Sequence, residues 1–214
     1  MLSFLGGTGP EGKGLALRFA MAGNEVLIGS RDPTRAVAAV EHIKTLQSSV
    51  VAHGMDNDEA AKTGDIIFIA VPMAGHKETI SSLRDQLRGK LVIDVTAPIM
   101  FQGNKAYAVP VDEGSLALQT QSLLPDSMVA STFHHISASD LLDPAHTLNC
   151  DVLVCATNGP AKSDTISLVS QIPGIRPIDG GDLTYSRYAE EFTAVLVNIN
   201  RIYKGHSSVK FLGI

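Results

Sequence analysis

Short apolar runs alternate with segments of helical periodicity through the first part of the chain. Leu2–Leu5 is largely apolar and stops at Gly6-Gly7, the pattern of a buried parallel strand. A helix is predicted over Lys13–Ala22, closed by Gly23 as the residue after its C-cap. Glu25–Gly29 reads as a second strand. Asp32-Pro33 then supplies an N-cap and a proline at the first helical position for a helix reaching about Gln47. Val50–Ala52 is a weak third strand, and Asp56–Thr63 a short helix capped by Asp56 or Asn57. Asp65–Val71, with the sequence DIIFIAV, is the clearest strand, and its continuous apolar run calls for cover on both faces. Lys77–Leu87 is predicted helical and Lys90–Val95 a strand. Strands spaced by helices of this length make right-handed βαβ units. The expected fold is therefore α/β, a Rossmann-type, doubly wound and mostly parallel sheet.

Beyond Val95 the pattern loosens. Thr96–Gly114 contains Pro98, Gly103, Pro110 and Gly114 and is predicted to be a long loop. Leu116–Leu124 is helical, and Met128–Phe133 is a strand ending at His134-His135. Asp151–Ala156 is a strand, Pro160–Gln171 a helix and Ile175–Asp179 a short strand. Leu183–Tyr203 is the longest helical stretch, amphipathic through Tyr188, Phe192, Val195 and Ile199.

Composition narrows the classes. The 214 residues are 44% hydrophobic and 18% charged, which suits one globular domain or one carrying a small lobe. The net charge of −5 leaves no basic excess to neutralise a phosphate backbone, so no nucleic-acid partner is expected. The longest strongly apolar run, Ile66–Ala74, is interrupted by Pro72 and is too short to span a bilayer. The first residues show no signal-peptide pattern, so the expectation is a cytoplasmic protein without a membrane partner. Cys150 and Cys155 have neither zinc nor redox spacing, and Cys155 reads as a small buried hydrophobe.

The chemistry is concentrated in a glycine turn. Gly7-Thr8-Gly9-Pro10-Glu11-Gly12 is a G-x-G-x-x-G placed between a predicted strand and a predicted helix. Gly7 permits the tight turn, Gly9 leaves room for a pyrophosphate, and Gly12 lets helix and strand pack closely. The helix N-terminus adds free N–H groups and a positive dipole end. A dinucleotide-binding half over residues 1–94 follows, with residues 95–214 forming a small C-terminal α/β lobe or the continuation of the same domain. An NAD site wants a carboxylate at the end of the second strand. Here that strand ends Gly29-Ser30-Arg31, and Asp32 is better used as a helix cap. Ser30, Arg31 and Arg35 suit a 2′-phosphate instead, which favours NADP(H). His134 and His135 fall at the carboxyl end of a strand, where α/β proteins bind ligands. One imidazole is expected either to orient a ligand there or to pack under a loop. No metal site is expected, because adjacent strand residues point to opposite faces. No nucleophile or metalloprotease motif is present.

Gly6-Gly7-Thr8-Gly9-Pro10-Glu11-Gly12-Lys13-Gly14-Leu15-Ala16 followed by Gly29-Ser30-Arg31 resembles the NADP-dependent coenzyme F420 reductases. Ala70-Val71-Pro72, His134, Ile136, Ala138, Gly174-Ile175-Arg176-Pro177, Asn198-Ile199 and Lys210-Phe211-Leu212 continue the likeness over nearly the whole chain. The same NADP half occurs in the Steap metalloreductases. The resemblance implies hydride transfer between NADP(H) and the deazaflavin coenzyme F420, held face to face in a homodimeric enzyme. It implies pyrophosphate at Thr8–Gly12, 2′-phosphate at Ser30, Arg31 and Arg35, and the nicotinamide beside Val71 and Pro72. Ala138 would meet the carboxamide through its backbone. Pro98, His134, Ile136, Thr193 and Val197 would shape the deazaflavin pocket. Ser137, Glu191 and Gly205–Val209 depart from the family pattern, all on the acceptor side. Two other readings therefore stay open: an NADPH-dependent reductase of a flavin or other acceptor, and a non-catalytic NADP-sensing module.

Overall fold

A computed structural model describes residues 1–214. The four residues of β1 (Leu2–Leu5) are all buried, as a strand hydrogen-bonded on both edges and covered on both faces must be. α1 (Pro10–Met21) follows, then β2 (Val26–Ser30), α2 (Pro33–Leu46), β3 (Ala52–Asp56), α3 (Asn57–Thr63) and β4 (Ile66–Ile69). Next come α4 (Met73–Ser82), α5 (Arg84–Leu87), β5 (Leu91–Asp94) and a hairpin of β6 (Ile99–Gln102) and β7 (Lys105–Ala108). The chain continues through α6 (Leu116–Leu123), β8 (Met128–Ser131), α7 (Ala138–Leu141), β9 (Cys150–Ala156), α8 (Gly159–Val169) and β10 (Ile175–Asp179). A 3₁₀ turn, Leu183–Tyr185, leads into α9 (Ser186–Tyr203).

Eight strands share one sheet in the order β10-β9-β8-β5-β4-β1-β2-β3. All neighbours are parallel except β8 and β9. The order reverses between β1 and β4, so a crevice opens beyond their carboxyl ends. The sheet runs unbroken past Asp94, because β8 pairs directly with β5. Apolar layers cover both faces. One centres on Phe4, Phe19, Phe68 and Phe133, with Phe4 and Phe68 stacked at 4.6 Å and Phe19 edge-on to Phe133 at 5.9 Å. The other includes Leu5, Ile67, Ile69, Val92 and Val129.

Several elements differ from the sequence expectation. α1 begins at Pro10, so the second half of the glycine motif is its first turn. The third strand is displaced to Ala52–Asp56, where edge pairing with β2 outweighs its polar side chains. The helix expected over Lys77–Leu87 starts at Met73 and breaks at Leu83. The expected loop Thr96–Gly114 contains the β6–β7 hairpin, turning at Gly103 with φ of 58°. His134 and His135 lie in a turn after β8 rather than on the strand. Buried Arg18 on α1 pins the segment beyond that turn. Its guanidinium donates to the carbonyls of Asp140 (2.6 Å), Leu141 (2.9 Å) and His146 (3.0 Å).

Candidate active site

The crevice at the switch point holds a cavity of about 660 Å³. Its floor is the glycine turn. Gly12 packs so tightly that a Cβ there would lie 2.6 Å from Gly7 Cα, whereas a Cβ on Gly9 would meet nothing within 4 Å. Helix, strand and turn are thus in van der Waals contact at Gly7 and Gly12, while Gly9 faces open space. Gly9 is the N-cap of α1, and no side chain caps the N–H groups of its first turn. Those donors are available to an anion. Asn57, which also lines the cavity, fixes the turn: its Oδ1 accepts from the Gly6 N–H at 3.1 Å. Sequence reasoning weighed Asn57 only as a helix cap, a role Asp56 takes, and missed this contact because Gly6 is far away in the chain.

Glu11 lies in the first turn of α1, beside these free donors. Its Oε1 is buried without a hydrogen-bond partner, and burial pushes the carboxyl up to about 8. Burial therefore favours the uncharged carboxyl, the form that does not repel a phosphate.

Ser30, Arg31 and Arg35 line one end of the cavity. Asp32 caps α2, accepting from the Thr34 N–H at 3.0 Å, and does not line the cavity. Ser30 Oγ accepts from the Asp32 N–H at 3.2 Å and can still donate its hydroxyl proton. Arg31 and Arg35 are exposed. Two guanidiniums and a hydroxyl with no carboxylate among them fit a 2′-phosphate and not a bare ribose.

At the other end stand Val71 and Pro72, leading into Met73, Ala74 and Gly75 of α4, with Thr96, Ala97 and Ile99 opposite. His134, Ile136 and Thr193 close the wall. Phe133 adopts a left-handed φ of 69°, rare for an aromatic residue, and its ring is anchored edge-on against Phe19. That conformation turns the chain so that His134 faces the cavity. His134 Nε2 lies 3.2 Å from the Thr96 carbonyl, and the Thr193 hydroxyl donates to the His134 carbonyl at 3.1 Å. Nδ1 of His134 is buried and unpartnered, and burial pushes the imidazole down to about 4, so it is neutral. With Nε2–H bonded to Thr96, Nδ1 is left as an acceptor aimed at no protein group. His135 packs edge-on against Phe192 at 5.7 Å, away from the cavity lining.

Of the residues singled out from sequence, Thr8, Gly9, Pro10, Glu11, Gly12, Ser30, Arg31, Arg35, Val71, Pro72, His134, Ile136 and Thr193 line this one cavity. Gly7 supports the turn from within. Ala138, Pro98 and Val197 do not line it. Ala138 opens α7, whose carbonyl and Leu141 side chain press on Gly14 of α1. Pro98 starts the hairpin, its carbonyl accepting from Val109 at 2.7 Å, and Ile99 reaches the cavity instead. Cys150 and Cys155 are buried, with thiols pushed up to about 11 by desolvation, as expected of inert core residues.

Fold and cleft together define a Rossmann-type dinucleotide-binding oxidoreductase. Residues 1–98 match the family described as NADP oxidoreductase, coenzyme F420-dependent. The F420-dependent NADP reductase of Methanothermobacter thermautotrophicus is 37% identical over 205 residues, covering 93% of this chain and 88% of that protein. The F420-dependent NADP reductase of Methanocaldococcus jannaschii is 37% identical over 210 residues, covering 95% and 93%. The rat metalloreductase STEAP3 is 30% identical over 184 residues, which are 86% of this chain and 34% of that longer protein. A crystal structure of a protein from Arthrobacter sp. FB24 superposes with a TM-score of 0.84 at 26% identity over 98% of both chains. The chain belongs to the F420-dependent NADP reductase family.

Proposed function

We propose that this protein transfers a hydride between NADP(H) and coenzyme F420 within the cleft at the sheet's switch point. The observation that carries the reading is the continuity of the cavity: the glycine turn, the Ser30-Arg31-Arg35 cluster and the His134-Ile136-Thr193 wall share it. When bound, NADPH supplies the hydride and the deazaflavin of F420 accepts it. The protein holds and orients the two and keeps water out. First-turn N–H groups of α1 take the pyrophosphate, and neutral Glu11 leaves their field unopposed. Arg31 and Arg35 clamp the 2′-phosphate. Val71 and Pro72 flank the nicotinamide, and the wall of His134, Ile136 and Thr193 bears the acceptor. His134 Nδ1 accepts a hydrogen bond from the acceptor and moves no proton of its own at neutral pH.

In this reading residues 1–94 form the NADP-binding half, and residues 95–214 complete the cleft on the same sheet. A homodimer is proposed from α9, where Tyr188, Phe192, Val195 and Ile202 form an exposed apolar stripe at helical spacing. A cytoplasmic location is proposed for the same small-molecule enzyme; no helix is long and apolar enough to cross a membrane.

Mixing the protein with NADPH and F420 and following the deazaflavin absorbance tests the function. Bleaching is expected. No bleaching despite tight NADPH binding overturns the reading in favour of an NADP-sensing module. Turnover of a flavin with none of F420 reassigns the acceptor.

A further inference from the structure

A buried polar cluster lies directly behind the cleft wall. His76 on α4 and Asp94 at the end of β5 are both fully buried, with His76 Nε2 2.7 Å from Asp94 Oδ2. Thr120 on α6 donates to the same carboxylate oxygen at 2.6 Å. The other ring nitrogen, His76 Nδ1, is 3.0 Å from Gln119 Oε1. The Gln119 amide is oriented by its own Nε2, which donates to Glu113 Oε2 at 3.0 Å, so its carbonyl oxygen faces the ring. Both ring nitrogens therefore meet acceptors, an arrangement that favours the doubly protonated ring. Burial disfavours the charged ring, but the Asp94 charge and its hydrogen bond outweigh that effect and raise the His76 pKa. The surrounding charged group from α9 is Glu190, whose carboxylate accepts the Leu116 and Ala117 N–H groups at 2.8 and 3.1 Å. Burial, reinforced by Asp94, pushes Glu190 up to about 7.

The cluster is connected to the cleft at two points. Asp94 Oδ1 accepts from the Thr96 N–H at 3.0 Å, and the Thr96 carbonyl meets His134 Nε2 at 3.2 Å. His76 also lies one residue beyond Met73, Ala74 and Gly75, which line the opposite side. The His76–Asp94 pair thus joins the two sides of the cleft behind the acceptor wall.

We propose that His76 is a positioning residue for hydride transfer, acting through Asp94 and Thr96 to fix the orientation of His134. It touches neither substrate, so its removal disturbs acceptor alignment and spares the hold on NADPH. The inference rests on the proposed placement of F420 against His134, so a His134 variant belongs in its test.

The experiment measures the NADPH dissociation constant and the steady-state kinetics of F420 reduction for wild type, His76→Ala, His76→Gln, His76→Leu, Asp94→Asn and His134→Ala. His76→Ala should lower kcat/KM for F420 by about tenfold or more while NADPH affinity stays within about twofold. His76→Gln keeps an N–H donor for Asp94 and should recover part of the loss, whereas His76→Leu, which fills the space without a donor, should not. Should His76→Ala fail to fold, Asp94→Asn carries the test with the same expected split. Wild-type F420 kinetics in a folded His76→Ala or Asp94→Asn, or a parallel loss of NADPH affinity, overturns the proposal. If those variants are silent while His134→Ala is impaired, only the positioning role falls. If His134→Ala is silent too, the acceptor placement falls with it.

Discussion

Asp32 accepts the Thr34 N–H at 3.0 Å, and this bond removes from the cleft the carboxylate that would otherwise stand at the end of β2. What remains facing the cavity is Ser30, Arg31 and Arg35. One N-cap therefore decides both where α2 starts and which nucleotide the end of β2 can accept.

The floor of the cleft depends on backbone contact between two glycines. Gly12→Ala places a methyl carbon 2.6 Å from Gly7 Cα, and neither backbone can give way. We expect a loss of about 1–3 kcal/mol in stability, read by urea denaturation, together with weakened NADPH binding. A Gly9→Ala variant keeps its stability, because its Cβ meets no protein atom within 4 Å, and loses nucleotide affinity alone.

Thr193→Val deletes the hydroxyl that donates to the His134 carbonyl at 3.1 Å. The lost bond should cost about 0.5–1.5 kcal/mol, or a few degrees of Tm. Steady-state kinetics should show a raised KM for F420 with an unchanged NADPH dissociation constant. An effect on NADPH alone would place Thr193 on the wrong side of the cleft.

His134 and His135 both sit near 4 in the folded protein, against an ordinary value of 6.5, because burial disfavours their charged forms. Between those values the unfolded chain binds protons that the folded chain refuses. Their contribution to stability is thus fully present above about 6.5 and falls as the pH drops towards 4, by roughly 3 kcal/mol per histidine. His135→Gln should flatten the dependence by up to one proton in urea titrations across this range. An unchanged slope would show that His135 is not a buried neutral ring.

The parts of the fold that were legible in the sequence are those with local causes. Leu2–Leu5, the glycine turn, the Asp32-Pro33 helix start and the strand around Ile66–Ile69 each follow from apolar runs, caps and turns within a few residues. The hairpin was not, because its strands are mostly exposed and only Ala106 is buried, so no alternation betrays them. The one available signal was Gly103-Asn104, a hairpin-type dipeptide. α7 is four residues long, too short for periodicity, although Ser137 and Asp140 have the spacing of a capped start. The site roles of Asn57, His76, Asp94 and Glu190 were not legible, Asn57 reading only as a candidate helix cap. Their partners are distant in sequence, and only the assembled sheet and helices bring them together.

The most direct test of the account is a paired titration of NADPH and NADH into wild type and Arg31→Ala. Loss of a charge-assisted hydrogen bond to the 2′-phosphate should weaken NADPH by about 1.5–3 kcal/mol, on the order of ten- to a hundredfold, and leave NADH nearly unchanged. Equal weakening of both nucleotides would mean that Arg31 does not read the 2′-phosphate, and the NADP(H) cleft described above would be wrong.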